Sequence, residues 1–173
     1  LIDFHILPEM SRLGQATNQR ELDSLLSSSP VINMLNTKYI KFDKQPQPLE
    51  NPAALGQAWF VEQVNVVETA DSEMTAINGL NPAEEAVVHR EFASLLSGLG
   101  APDSTATLVQ TEYATKKLSY QSKSNAEALA VFSEVYYPEG WVCRVDGKEV
   151  PTLRANYVLR AAVIPAGEHT RSE

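Results

Sequence analysis

Over residues 129–170 the chain alternates apolar and polar side chains between short turn signals, and this stretch limits the possible folds more than any other. Asp146-Gly147 separates Trp141-Val142-Cys143-Arg144-Val145 from Lys148-Glu149-Val150. Two residues that tolerate positive φ between alternating segments predict a β-hairpin closed by a type I′ turn. The alternation places Trp141, Cys143 and Val145 on one face. A second run, residues 156–164, puts Tyr157, Leu159, Ala161 and Val163 on one side and Val158, Arg160 and Ala162 on the other, and ends at Pro165-Ala166-Gly167-Glu168. That turn calls for a strand after His169. Only Thr170-Arg171-Ser172-Glu173 follows, so the expectation is a final strand that is missing or left short, as in a piece of a longer protein.

Taken from the start, residues 1–7 are apolar enough for a docked strand or helix end, closed by Pro8. Leu22, Leu25 and Leu26 at i, i+3, i+4 predict an amphipathic helix over residues 19–28 that ends in the serines before Pro30. Residues 31–42 read as a helical turn with Ile32 and Leu35, then a strand from Thr37 to Phe42. Three prolines within residues 43–53 predict an extended connection and the main internal boundary. Beyond it, residues 59–69 read as a strand or a bent strand pair, and Asp71 as the N-cap of a short helix over residues 72–78 with Met74 and Ile77 inward. One helical turn at Asn81-Pro82 feeds a strand over residues 86–92. Residues 94–102 form a short apolar segment broken by Gly98, Gly100 and Pro102. Strands are expected over residues 107–113, 117–124 and 128–135. The fold class is therefore mainly β (α+β): an antiparallel β-sandwich with a few short helices in the N-terminal part. The division is 1–53, a helical and extended segment with its Pro-rich connection, and 54–173, the sandwich, with a short helical insertion near 71–102.

A formal charge of −8 and scattered basic residues disfavour nucleic acid, which requires clustered Lys and Arg. One cysteine, Cys143, excludes an internal disulfide and a cysteine-built zinc site, and its place beside Trp141 predicts a buried small hydrophobe. His5, His89 and His169 are widely separated, so no metal site or cofactor is called for. No local signature of an α/β-hydrolase, P-loop or Rossmann enzyme is present. Glu134, Glu139, Asp146 and Glu149 are the candidates for a glycosidase-like carboxylate pair, but Asp146 is better explained by its turn and Glu139 by the Pro138-Glu139-Gly140 loop. Tyr136, Tyr137 and Trp141 bracket that loop and suit stacking on a sugar ring, with core-edge packing as the plainer alternative. Arg154, Asn156 and Arg160 are hydrogen-bond candidates for hydroxyls or phosphate, against a solvated strand face.

Seven segments share order and spacing with a known family. They are Asn33-Met34-Leu35-Asn36-Thr37-Lys38-Tyr39, Leu55-Gly56-Gln57-Ala58-Trp59-Phe60-Val61, Ala70-Asp71, the run from Leu129 through Ser133-Glu134-Val135-Tyr136-Tyr137-Pro138-Glu139-Gly140-Trp141, then Val145-Asp146-Gly147 and Arg154-Ala155-Asn156-Tyr157-Val158-Leu159-Arg160-Ala161, with Val163-Ile164-Pro165-Ala166-Gly167-Glu168-His169 closing the series. Together they resemble the C-terminal extracytoplasmic region of the YfhO-like bacterial multi-pass membrane proteins, especially the Bacteroidetes-type members. The resemblance implies a periplasmic domain of a polytopic protein similar to GT-C glycosyltransferases, on the outer side of the cytoplasmic membrane. Its implied partners are the membrane-embedded remainder of the same chain and an envelope glycan or polyprenyl-linked sugar. The family's presumed catalytic acids lie in a membrane-proximal loop with no counterpart here, so no catalytic residue carries over. The family pattern continues past the Pro165–His169 motif with a final strand and a membrane helix, where this chain departs.

The expected function is accordingly an accessory domain that binds an acceptor glycan or covers a membrane active site, with Tyr136, Tyr137, Trp141, Arg154 and Asn156 as its contacting surface. The alternatives are a stand-alone carbohydrate-binding β-sandwich module without catalysis, and a hydrolase using Glu134 or Asp146.

Overall fold

In the computed structural model, which describes residues 1–42, 47–115 and 117–172, the N-terminal region is helical. A wide helical turn, Ile2–Ile6, runs directly into helix α1, Leu7–Leu13. Pro8 stands in the first turn of α1, so it starts a helix where it was expected to close an element. The reason is that a first-turn residue has no intrahelical partner for its N–H, and proline has none to lose. Helix α2, Gln19–Ser27, begins where Asn18 Oδ1 accepts the Glu21 N–H at 2.9 Å, and α3, Pro30–Met34, follows after the serines. No side chain of its own caps α3; the buried Glu9 carboxylate does so from α1, accepting the Val31 and Ile32 N–H groups at 3.1 and 3.0 Å. Burial pushes the Glu9 carboxyl up, against those two hydrogen bonds. Leu13, Leu22, Leu26, Ile32 and Ile40 form a small core of this region. Strand β1, Tyr39–Ile40, pairs with β2, Leu49–Glu50, so the Pro-rich connection carries a short antiparallel ladder. Residues 43–46 of that connection lie outside the described residues.

The rest is two sheets. The larger takes the strands β3 (Ala58–Phe60), β4 (Gln63–Val67), β5 (Glu85–His89), β8 (Ala128–Val135), β11 (Leu153–Ala155) and β12 (Leu159–Ile164) in the order β3-β8-β12-β11-β5-β4. All its neighbours are antiparallel except β4 and β5, which are parallel and joined through helix α4, Ala70–Ala76. The N-cap of α4 is Thr69, whose Oγ1 accepts the Ser72 N–H at 3.1 Å; Asp71, the expected cap, is the second residue of the helix, within its first turn. Thr69 wins because its backbone is extended, as a cap requires, and its hydroxyl reaches the third residue on. The strand expected over residues 86–92 stops at His89 and passes into a tight helical turn, Arg90–Leu96.

The smaller sheet takes β6 (Thr107–Ala114), β7 (Lys117–Ser124), β9 (Cys143–Val145), β10 (Lys148–Val150) and β13 (Gly167–Ser172) in the order β10-β9-β13-β7-β6, all antiparallel. Asp146 and Gly147 close the β9–β10 hairpin with φ of 49° and 80°, as the type I′ reading requires. Strand β13 corrects the expectation of a missing last strand: it lies between β9 and β7 and pairs with β7 from Gly167 to Ser172. A central slot between two strands orders even a short segment, because both of its edges are hydrogen-bonded.

The sheets face each other across Leu118, Tyr120, Phe132, Cys143, Val145, Ala162 and Ile164, with the Tyr120 and Phe132 rings edge-on at 5.2 Å. The opposite face of the larger sheet packs Leu129, Val131, Leu153, Leu159 and Ala161 against Val31, Met34 and Ile77 of the helices. The protein is thus mainly β, an antiparallel sandwich with short helices covering one outer face. Among the described residues no helix is long and apolar enough to cross a membrane.

Candidate functional site

The link from β11 to β12 holds two non-glycine residues in the left-handed region. Asn156 and Tyr157 are consecutive residues at φ 51° and 70°, a region in which a bulky side chain such as tyrosine is rare. Three contacts hold them there. Asn156 N–H donates to Val87 O, and its Oδ1 accepts Val87 N–H, both at 2.8 Å, so one residue satisfies both backbone groups of a β5 position. Tyr157 N–H donates to Glu73 Oε1 at 2.8 Å. Glu73 is fully buried in α4, and its other oxygen takes Arg154 Nη2 at 2.9 Å. The Arg154 guanidinium also lies over the Tyr157 ring, 5.6 Å from its centroid, and 4.0 Å from Glu91. A buried carboxylate is tolerated only with such partners.

Tyr157 forms one wall of a groove of about 360 Å³ with Phe4, His5, Asp71, Met74, Thr75 and Asn78. His5 is buried and donates from Nε2 to the Met74 carbonyl at 3.1 Å, tying the first helical turn to α4. Phe4, by contrast, is 75% exposed. Through Phe4, His5 and Asn78 the groove continues into a cleft of about 810 Å³ that also reaches Glu9, Arg12 and Asn81. The trough therefore offers aromatic faces, amides and hydroxyls beside the charged groups of Asp71, Glu9 and Arg12, a mixed lining that suits a hydroxyl-rich ligand.

The five residues expected at a contacting surface fall into three places. Tyr136 and Arg154 come together: the Tyr136 ring meets Phe92 edge-on at 5.9 Å, and its phenol is pushed up by burial and then by the Glu91 charge, against Arg154. Asn156 lies beneath them but is fully buried, its amide oxygen serving the β5 junction. Tyr137 is exposed in the loop after β8. Trp141 is on the other side of the larger sheet, packed with the inter-sheet core, its ring 4.9 Å from the Arg160 guanidinium. Arg160 itself is buried rather than on a solvated face, with Glu134 at 3.5 Å. The hydrolase candidates are similarly engaged. Asp146 takes His169 and the Thr170 N–H, which hold its carboxyl below the usual range, the wrong direction for a general acid at neutral pH. Among the described residues no group of three or more His, Cys, Asp and Glu could hold a metal ion.

Glu73 and Phe4 were not singled out in the sequence, where Tyr157 was assigned only to a strand face and a resembling segment and His5 only weighed for a metal site. Ala70-Asp71-Ser72-Glu73 reads as an acidic first helical turn facing water, and nothing local distinguishes Glu73 from Asp71. No family model, curated protein or solved structure matches the chain.

Proposed function

We propose that this chain is an extracytoplasmic accessory domain of a polytopic membrane protein resembling the GT-C glycosyltransferases, and that it holds an acceptor glycan of the cell envelope in the groove between Tyr157 and Phe4. The resemblance to the YfhO-like family supplies the class, and the structure supports treating the resembling segments as one unit. Leu55-Gly56-Gln57-Ala58-Trp59-Phe60-Val61, the run from Leu129 and the two segments from Arg154 to His169 supply β3, β8, β11 and β12, which are contiguous in the larger sheet. Ala70-Asp71 opens the helix whose Glu73 locks the Arg154–Tyr157 turn.

The observation that carries the site is Tyr157 itself, held by a buried carboxylate in a conformation tyrosine avoids, at the wall of a groove whose other rim is an exposed phenylalanine. Two aromatic rings in one lining with Asp71, Thr75 and Asn78 match a sugar's apolar face and its hydroxyls. Arg154, over the Tyr157 ring, borders the same groove. Affinity in the millimolar range, about −4 kcal/mol, is enough when the domain is tethered beside the membrane site.

The test is an NMR titration of the domain with neutral and acidic oligosaccharides, with Phe4→Ala and Asn78→Ala, followed by the same substitutions in the full-length protein. Shifts confined to Phe4, Thr75, Asn78 and Tyr157, lost in Phe4→Ala, are the expected result. A titration in which no sugar moves those signals overturns the glycan assignment. A native protein found as a soluble chain of this size, in place of a detergent-solubilised larger one, overturns the accessory-domain assignment and favours a free carbohydrate-binding module.

A further inference from the structure

The β9–β10 hairpin joins the rest of its sheet through β13. Among the described residues its ladder with β13 pairs Arg171 with Val145 and Ser172 with Arg144. At its end the pairing passes to a side chain. Asp146 N–H donates to Thr170 O at 2.8 Å, but Thr170 N–H donates to the Asp146 carboxylate, Oδ1, at 2.9 Å. The second carboxylate oxygen is 2.6 Å from His169 Nδ1, and His169 Nε2 is 3.1 Å from the Ala166 carbonyl.

Both imidazole nitrogens therefore face acceptors. A neutral imidazole carries one N–H and satisfies one of them; only the imidazolium satisfies both. The ring is seated rather than loosely placed: Gly167, at φ 122°, passes so close that a Cβ there would lie 3.1 Å from Nε2. Other described charges nearby are Lys148, which acts on Asp146 from the hairpin, and Lys123 of β7, whose ammonium is paired with Glu168 at 2.8 Å. Among the described residues, Asp146 is the charge that acts directly on His169.

We propose that Asp146, His169 and the Ala166 carbonyl form a proton-dependent clasp that holds the β9–β10 hairpin against β13 when His169 is protonated and loosens the hairpin when it is not. Consistent with this, the hydrogen bond from Asp146 raises the His169 pKa above its ordinary value. A raised histidine contributes its full stabilisation below the unfolded-state pKa and loses it as pH rises through the folded-state value. Asp146, whose pKa is lowered, contributes above its own ordinary value and loses that only in strong acid. The clasp is closed between the two and opens on the alkaline side.

The chain carries its own reporter. Cys143, its one cysteine, lies in β9 with 1% of its surface exposed, so a thiol reagent reaches it only when the hairpin lifts. Asp146→Asn keeps the Asn-Gly turn preference and an acceptor for Thr170 while removing the charge. The experiment measures the His169 pKa by NMR and the Cys143 labelling rate in the wild type and in Asp146→Asn at about pH 5.5 and about pH 9, the ratio of the two proteins cancelling the thiol's own ionisation. Expected is a His169 pKa above the ordinary value that returns to it in Asp146→Asn. The variant should label roughly threefold to tenfold faster at the lower pH, and the rates should converge at the higher one. His169→Gln, a second variant with no titrating ring, should show a pH-independent ratio to Asp146→Asn. A wild-type His169 that titrates at its ordinary value, or a labelling ratio that is the same at both pH values, overturns the clasp.

Discussion

The two sheets bury their residues in different ways. In the larger one, β8 is buried from Ala128 to Phe132 and β12 is buried at every position except Val163, because helices cover one face and the second sheet covers the other. In the smaller one, β6 has no fully buried residue and β7 carries Lys117, Gln121 and Lys123 outward, with Lys117 paired to Glu112 and Lys123 to Glu168. A doubly covered strand has no solvated side on which to place a charge. That is why its two charged intruders, Arg160 and, from the helix side, Glu73, each come with partners: Glu134 and Trp141 for the first, Arg154 and the Tyr157 N–H for the second. The smaller sheet places its charges at no such cost, and their pairings are exposed and weak.

The sharpest way to break this contrast is Phe132→Ala, which empties a fully buried ring between the sheets and removes its edge contact with Tyr120. It should cost about 3–5 kcal/mol by denaturant unfolding. Next comes Glu73→Gln, which leaves Arg154 partly buried without its carboxylate and weakens the hold on the Tyr157 N–H. A loss of about 2–3 kcal/mol is expected, less than for a fully buried pair because Arg154 keeps some water. A change under about 0.5 kcal/mol would mean that the Arg154–Tyr157 turn holds itself. A smaller effect separates two substitutions at one position: Tyr157→Val should be less stable than Tyr157→Gly by about 1–2 kcal/mol, since only glycine adopts that φ freely. The smallest change is Tyr113→Ala on the open face of β6, where a residue 77% exposed should move stability by no more than about 0.5 kcal/mol. If Tyr113→Ala instead costs as much as Glu73→Gln, the outer face of the smaller sheet is not the solvated surface described here.

Much of the fold was legible locally. The strands β6, β7, β8 and the β9–β10 hairpin fall where period-two alternation and Asp146-Gly147 put them, and α2 falls where its leucines do. Local signals failed where two chemistries looked alike at short range. Thr69 and Asp71 are both good caps, and only the extended backbone at Thr69 decides between them. The short tail after His169 looked too brief to form a strand because its two pairing edges come from β7 and β9, far away in sequence. Of the residues expected at a contacting surface, Tyr136 and Arg154 lie near each other, whereas Glu73 and Phe4 carried no local signal, since an acid in a first helical turn and an apolar residue near a chain start are both ordinary.

The sequence by itself determined where most strands lie, the turn at Asp146-Gly147 and which residues of those strands share a face, because these follow from side-chain period and from the φ values that aspartate and glycine permit. Only the tertiary structure decided which strands join which sheet, and therefore that Arg160, Asn156 and Glu73 are buried while Phe4 is not. Burial of a charge depends on partners brought together across long stretches of chain, such as Glu73 with Arg154 and Tyr157, and no local pattern records them.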